Sequence, residues 1–409
     1  MRNRHPELLI PASSLEVLKT AVMFGADAVY IGGEAFGLRA KAKNFSMEDM
    51  KEGVRFAHEH GARVHVTVNI LAHNDDLQGA AEYLKELKEI APDALIIADP
   101  AIFMLAKEIC PEIERHVSTQ ANNTNYGTFN FWWNLGAKRV VTARELSLKE
   151  IKEIRAHIPE DMEIESFIHG AMCISYSGRC LLSNFFTARD ANQGACTHPC
   201  RWKYSVVEET RPGEYMPVYE NERGTYIFNS KDLCMIEHIP EMIDAGIDSF
   251  KIEGRMKTAL YVATVARTYR KAIDDYLEDP KKYEANMPWY LEQIKSCTYR
   301  QFTTGFFYGK PDENTQIYDN NTYQKEYTYL GFAEAVDERG YAQITQRNKF
   351  SVGETIEIMK PDGQNVAVTV KGIYDEEGNS MESAPHAQQK LFIDLGTEIQ
   401  VYDLLRRAE

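Results

Sequence analysis

The run VHVTVNILAHNDDLQGAAEYLKELKEIAPDALIIAD, residues 64–99, changes its period twice. Val64–Leu71 is rich in β-branched residues and reads as a strand. Asp75–Ile90 then carries apolar residues at helical spacing, and Ala94–Asp99 returns to a short apolar run. Strand, helix, strand in this order is the unit from which parallel sheets are wound.

Outward from this run the same alternation continues. Leu8–Ala12, Ala28–Gly33, Arg115–Gln120, Arg139–Glu145, Glu163–Gly170 and Ser249–Arg255 read as further strands, which brings the count to eight. Helical runs lie between them, and Ser147 with Glu150 forms a capping box at the start of SLKEIKEIRAHI. Eight strands with intervening helices predict an α/β fold, a (β/α)8 TIM-like barrel, with a doubly wound open sheet as the alternative. After the seventh strand comes an interval far longer than a βα loop. This cysteine-rich insert, residues 171–248, ends in the helical run LCMIEHIPEMIDAG. Residues 1–325 are assigned to the barrel domain. From about Thr328 the sequence alternates and is punctuated by ERG, DG and EEGN turns, which predicts a small C-terminal antiparallel β-barrel domain over residues 326–409.

The 409 residues exceed one ordinary core, and 44% hydrophobic with 26% charged residues is the composition of a soluble globular chain. No apolar run reaches the roughly 18 residues of a membrane helix, and the start MRNRHPELLIPASS has no apolar stretch of signal-peptide length. A cytoplasmic protein with no membrane partner is expected. A net charge of -15 opposes indiscriminate adsorption to nucleic acid, so an RNA partner requires a local basic patch. Seven cysteines in such a chain point to metal or redox chemistry rather than a disulfide framework.

Four of them, Cys173, Cys180, Cys196 and Cys200, are spaced C-x6-C-x15-C-x3-C directly after the seventh strand. In a barrel, loops after the strands build the functional face, so these thiols overhang the mouth. Zinc prefers paired C-x2-4-C knuckles, and only the last pair approximates one. Iron–sulfur clusters accept more irregular spacing. Cys110, Cys234 and Cys297 read as small core residues, although Cys234, at the far end of the insert, is an alternative to Cys200 as fourth ligand. Around the cysteines, Arg179, Arg189, Arg201 and Lys203 against Asp190 give a local excess of three positive charges. That charge suits an anionic substrate or an RNA backbone, or else offsets a thiolate-ligated cluster. Phe185, Phe186, Trp202 and Tyr204 could stack on a base or exclude water from a cluster.

The strand ends supply a second group: Asn69, Asp99, Gln120, Arg144 with Glu145, His169, and Lys251, Glu253 and Arg255. Alternation within KIEGR puts Lys251, Glu253 and Arg255 on one strand face, as an ion-pair network or an anion site. Arg144, Lys251, Arg255 and Gln120 are the candidate substrate-binding residues. His169, Glu145 and Glu253 are the candidate acids and bases, with His169 expected to titrate near neutrality. There is no P-loop, GxGxxG, HExxH or GxSxG.

The stretch from Glu165 to Cys173, ESFIHGAMC, followed by GRCLLS (178–183), RDANQGACTHPCRW, NSKDL and KIEGRMKTALYV, resembles the signature blocks of the peptidase U32 family. The match extends to the C-terminal β domain. Within the family the chain resembles the branch of tRNA hydroxylation proteins, which take part in prephenate-dependent formation of 5-hydroxyuridine at wobble position 34. The resemblance implies a tRNA partner, prephenate or a similar small dicarboxylate, and a [4Fe-4S] cluster on Cys173, Cys180, Cys196 and a fourth cysteine, taken as Cys200. Zinc is the alternative metal. The family name implies a collagenase-like peptidase, which is one alternative function. A non-catalytic iron–sulfur partner subunit is another.

Overall fold

The computed structural model of the chain describes residues 5–33, 44–173, 175–177, 179–187, 189, 196–197, 199–201, 206–207, 215–216, 220–221, 224–225, 231–297, 301–310 and 326–409. The barrel is built from β1 (Glu7–Pro11), β2 (Ala28–Gly32), β3 (Arg63–Val68), β4 (Ala94–Ile97), β5 (Glu114–Val117), β6 (Arg139–Val141), β7 (Glu163–Gly170) and β9 (Ser249–Ile252), with β8 (Asp232–Cys234) beside β7. Strands β1 to β7 pair in sequence order, all parallel. Closure comes from β9, whose Lys251 is in register with Leu9 of β1 on one side and Phe167 of β7 on the other. This double pairing makes an eight-stranded parallel barrel and removes the open-sheet alternative.

Helices wrap the outside, and several start on a local side-chain cap. Ser14, Ser46 and Asn125 accept from backbone N–H groups one turn ahead, and Asp99 caps the helix Pro100–Ile109, which opens on proline. The Ser147–Glu150 capping box forms in both directions. Inside the barrel the layers differ in chemistry. Leu9, Ala28, Tyr30 and Ile96 form a small apolar cluster of their own. Towards the strand starts, Arg139 lies 2.5 Å from Glu7, 2.7 Å from Glu163 and 3.1 Å from Glu165. Burial opposes charge on Arg139 and Glu7, yet their mutual attraction wins, lifting the guanidinium above its ordinary value and holding Glu7 below the usual carboxylate range.

Five strands end two to four residues earlier than the sequence suggests, at Val68, Ile97, Val117, Val141 and Ile252. Of the polar residues read as strand ends, Asn69, Asp99, Gln120, Arg144, Glu145, Glu253 and Arg255 therefore sit in the loops that leave the sheet, while His169 and Lys251 remain in strands. Lys251, Glu253 and Arg255 accordingly do not share one strand face: β9 stops at Ile252, and Gly254, at φ +147, breaks the extension. The helical run after the insert begins instead as β8, antiparallel to β7 with Leu233 opposite Gly170 and Cys234 opposite His169, and only Ile239–Asp244 is α-helical. Pro240 accounts for the delay, since proline is tolerated in the first turn and not further in.

The C-terminal residues form four- and five-stranded antiparallel sheets around Leu330, Ile344, Ile358, Ile393 and Leu405. Tyr329, Met359 and Leu404 join the barrel's own core, and the Arg267 guanidinium donates to the Lys360 carbonyl at 2.9 Å. Among the described residues no helix is long and apolar enough to cross a membrane.

Candidate functional site at the barrel mouth

A cavity opens at the C-terminal ends of the barrel strands. Thr67 reaches it from β3, Asn69 from the loop after β3, Ser118, Thr119 and Gln120 from the loop after β5, and Arg144 from the loop after β6. Tyr30 and Phe167 line it from β2 and β7, while Lys251, Glu253 and Arg255 come from β9 and its exit. Ser177 of the insert completes the wall, so the insert overhangs the mouth. Gln120, Arg144, Lys251, Glu253 and Arg255 are thus brought together, whereas Glu145 and His169 are not among the lining residues.

Each cation has a defined seat. The Arg255 guanidinium donates to Thr67 Oγ1 at 2.7 Å and lies so close to the backbone of β2 that a Cβ on Gly32 would be 2.6 Å from its Nη1. Only glycine leaves that space. Lys251 Nζ sits 2.6 Å from Glu165 Oε1 and 4.5 Å from the centre of the Tyr30 ring. Burial draws its ammonium below the ordinary lysine value, against the pull of Glu165. Arg144 donates from Nη1 to the Ala171 carbonyl at 2.9 Å, stacks over Phe167 at 4.2 Å and reaches Cys173 Sγ at 3.7 Å. Among the described residues its buried Nε has no hydrogen-bond partner, and neither has the buried Oε1 of Gln120. A buried donor and a buried acceptor left open at one cavity are groups a polar ligand would satisfy.

Glu253 is fixed through its backbone, its N–H donating to the His169 carbonyl at 2.8 Å and its carbonyl accepting from Tyr261 Oη at 2.9 Å. Glu145 is half-buried, and burial raises its carboxyl above the usual range. His169 departs from expectation. It packs on the helix side of β7 among Tyr261, Tyr269 and Phe302, and burial pushes its pKa down to about 3. The cause is a register shift between Lys251 and Ile252, which pair with Phe167 and His169 and skip Ile168, so the inward–outward alternation changes parity. His169 is a neutral core residue near physiological pH and does not titrate near neutrality.

Cys173 and Cys196 are exposed, and Cys180 and Cys200 are half-buried. Among the described residues no three His, Cys, Asp or Glu side chains converge as a metal group. The donor chemistry nonetheless fits an iron–sulfur centre: four thiols in one segment, outside the core, with a guanidinium beside the first. Cys110, Cys234 and Cys297 are buried, and burial pushes their thiols up to about 11, 11 and 12. Cys234 Sγ lies 3.7 Å from Tyr269 Oη. Asp190, His198, Trp202, Lys203 and Tyr204 lie outside the described residues. Asp99, read as a mouth residue, spends its carboxylate on the backbone N–H groups of Ala72, Ala101 and Ile102.

The reading from sequence missed Tyr30, Thr67, Ser118 and Phe167. Tyr30 and Thr67 were recoverable, because they share the inward parity of β2 and β3 with Ala28 and His65.

The profile described as Peptidase family U32 matches residues 13–317, and that of the Peptidase family U32 C-terminal domain matches residues 325–406. The chain belongs to the peptidase U32 family. Within that family it is 43% identical over 407 residues to tRNA hydroxylation protein P1 of Bacillus subtilis, covering 99% of this chain and 96% of that one. It is 38% identical over 443 residues to tRNA hydroxylation protein P of Escherichia coli, covering 98% and 96%. A third relative, the Escherichia coli 23S rRNA 5-hydroxycytidine C2501 synthase, is 40% identical over 273 residues, covering 67% of this chain and 40% of that protein.

Proposed function

We propose that this chain is a tRNA-modifying enzyme that takes part in forming 5-hydroxyuridine at wobble position 34, in a prephenate-dependent reaction, using a [4Fe-4S] cluster. The observation that carries this reading is the position of Arg144, one guanidinium that lines the cavity and also stands 3.7 Å from Cys173 Sγ. It joins the cationic pocket to the thiol segment. The names of the relatives support it from a second direction, since two are tRNA hydroxylation proteins and a third makes a 5-hydroxypyrimidine in ribosomal RNA.

Arg144 and Arg255 offer planar guanidinium groups suited to the two carboxylates of a small dicarboxylate such as prephenate. Lys251, already paired with Glu165, contributes positive potential from the floor. Gln120 Oε1 accepts a hydroxyl of the ligand, and Glu253 is the carboxylate on the cavity that can hold or move a proton. Cys173, Cys180, Cys196 and Cys200 would hold the cluster, with Cys234 as the alternative to Cys200 and zinc as the alternative metal. When bound, an iron–sulfur cluster supplies one-electron transfer or a coordination position for an oxygen donor.

A cysteine peptidase would need a thiolate paired with an imidazole. His169, four residues before Cys173, is instead held neutral beside Tyr269. Deleting the gene and analysing tRNA nucleosides tests the proposal. Loss of 5-hydroxyuridine, restored by the wild-type chain, is expected. Unchanged 5-hydroxyuridine overturns it. Activity of the purified chain alone then separates an enzyme from a non-catalytic partner.

A further inference from the structure

The helix Leu182–Thr187 is built inside out. Its buried side is polar: Ser183 is fully buried, and its Oγ accepts from the Thr197 backbone N–H at 3.0 Å and lies 3.1 Å from Thr197 Oγ1. One turn on, Thr187 Oγ1 donates to the Ser183 carbonyl at 2.7 Å and sits 3.2 Å from the same Thr197 hydroxyl. Its outer side is apolar. Phe185 is 81% exposed, Phe186 47%, and Leu181, one turn before Phe185, 73%. The two phenyl rings stand 5.2 Å apart at 81°. Helices at a protein surface normally put the apolar stripe inward, and a contiguous exposed apolar patch marks an interaction site. The hydroxyl network pins this one with its aromatic face outward.

Three further observations narrow the partner. Ser177, five residues before the helix, lines the cavity, so the helix is close in sequence to the wall of the candidate site. Arg179 and Arg189 flank the helix and are exposed. Over residues 171–204 there are four cations against one carboxylate, in a chain whose net charge is -15. Aromatic faces interleaved with arginines are the means by which proteins hold unpaired nucleotides, the rings stacking on bases and the cations tracking phosphates. We infer that Phe185 and Phe186 are a stacking platform for unpaired bases of an RNA loop next to the nucleotide delivered to the cavity, with Arg179 and Arg189 on the adjoining phosphates. The inference rests on the RNA reading above and adds to it the surface that grips the RNA.

The test is binding of a tRNA anticodon stem-loop to the full chain, followed by fluorescence anisotropy across a salt series. Exchanging Phe185 and Phe186 together for Ala should weaken binding by about tenfold or more, since each stacked base is worth ~1–3 kcal/mol, with the salt slope unchanged. Exchanging both for Trp should restore affinity. Exchanging Arg179 and Arg189 for Gln should instead flatten the slope. Equal affinity of the wild-type chain and the double Ala variant overturns the platform. So does a wild-type dimer that the Ala variant dissolves while RNA affinity is unaltered, which would make the patch a contact between copies. If the wild-type chain binds the stem-loop through these rings but gene deletion leaves 5-hydroxyuridine intact, the platform stands and the hydroxylation reading falls.

Discussion

Lys251 Nζ and Glu165 Oε1 meet at 2.6 Å inside the barrel, at the floor of the candidate site. Glu165 also accepts from Arg139 at 3.1 Å, so it balances two cations while Lys251 has one carboxylate. Removing one member of a buried pair costs about 3–5 kcal/mol, because the other is left as an uncompensated charge. Glu165→Gln should fall in that range by urea unfolding. Lys251→Met should cost less, since Glu165 keeps Arg139. Equal costs would show that Lys251, not Arg139, is the principal partner.

His65 and His116 face each other inside the barrel with ring centres 4.8 Å apart. Burial holds both well below the ordinary histidine value. The charges of Arg139 and Arg63 reinforce this, and Glu7 opposes it. The unfolded chain takes up protons on these histidines as pH falls through about 6.5, and the folded chain does not. Stability is therefore complete above that pH and declines below it, by about 1.4 kcal/mol per pH unit for each histidine. Urea unfolding at pH 7.5, 6.0 and 5.0 should show the decline, and His65→Phe should remove one histidine's share of the slope. A stability flat down to pH 5 would contradict the buried, neutral state.

The cysteine segment predicts a graded outcome on anaerobic purification. Cys173→Ser, Cys180→Ser and Cys196→Ser should each lose iron and sulfide. Comparing Cys200→Ser with Cys234→Ser decides the fourth ligand, because one should lose the cluster and the other keep it. About four irons and four sulfides in the wild-type chain are the complement of a [4Fe-4S] centre, whereas one zinc without sulfide would replace the redox reading by a structural metal.

The barrel was legible because its signals are local. β-branched runs, capping residues and the period of the helices mark each unit, and Glu163–Gly170 is a strand from the first residue to the last as read. What the sequence could not carry was long-range. The parity change that turns His169 away from the cavity depends on the pairing of β7 with β9. That Lys251 is a committed ion pair depends on Glu165, 86 residues earlier. The polar row in KIEGR allowed either an ion-pair network or an anion site; Lys251 is paired with Glu165 and also lines the cavity beside Arg255. Leu233 and Cys234 looked helical because the apolar residues that follow them are helical, and it is pairing with β7 on one side and with Phe302–Thr303 on the other that makes Asp232–Cys234 a strand.

Gly32 offers a way to move Arg255 without touching it. A Cβ at position 32 would stand 2.6 Å from Arg255 Nη1, 2.9 Å from its Cζ and 3.0 Å from Thr67 Oγ1. The first two atoms end a long, flexible side chain, so Gly32→Ala should be accommodated by displacing the guanidinium, at a cost in stability well below that of a core clash. The Arg255–Thr67 hydrogen bond, worth about 0.5–1.5 kcal/mol net, is lost with it. If Arg255 positions a dicarboxylate, Gly32→Ala should lower tRNA modification nearly as far as Arg255→Ala while cluster content and melting temperature stay near wild type, and part of the loss should return at raised prephenate concentration. Full activity in both variants would remove Arg255 from the site. Full activity in Gly32→Ala alone would mean that the guanidinium works from a second seat, leaving Thr67 without a role.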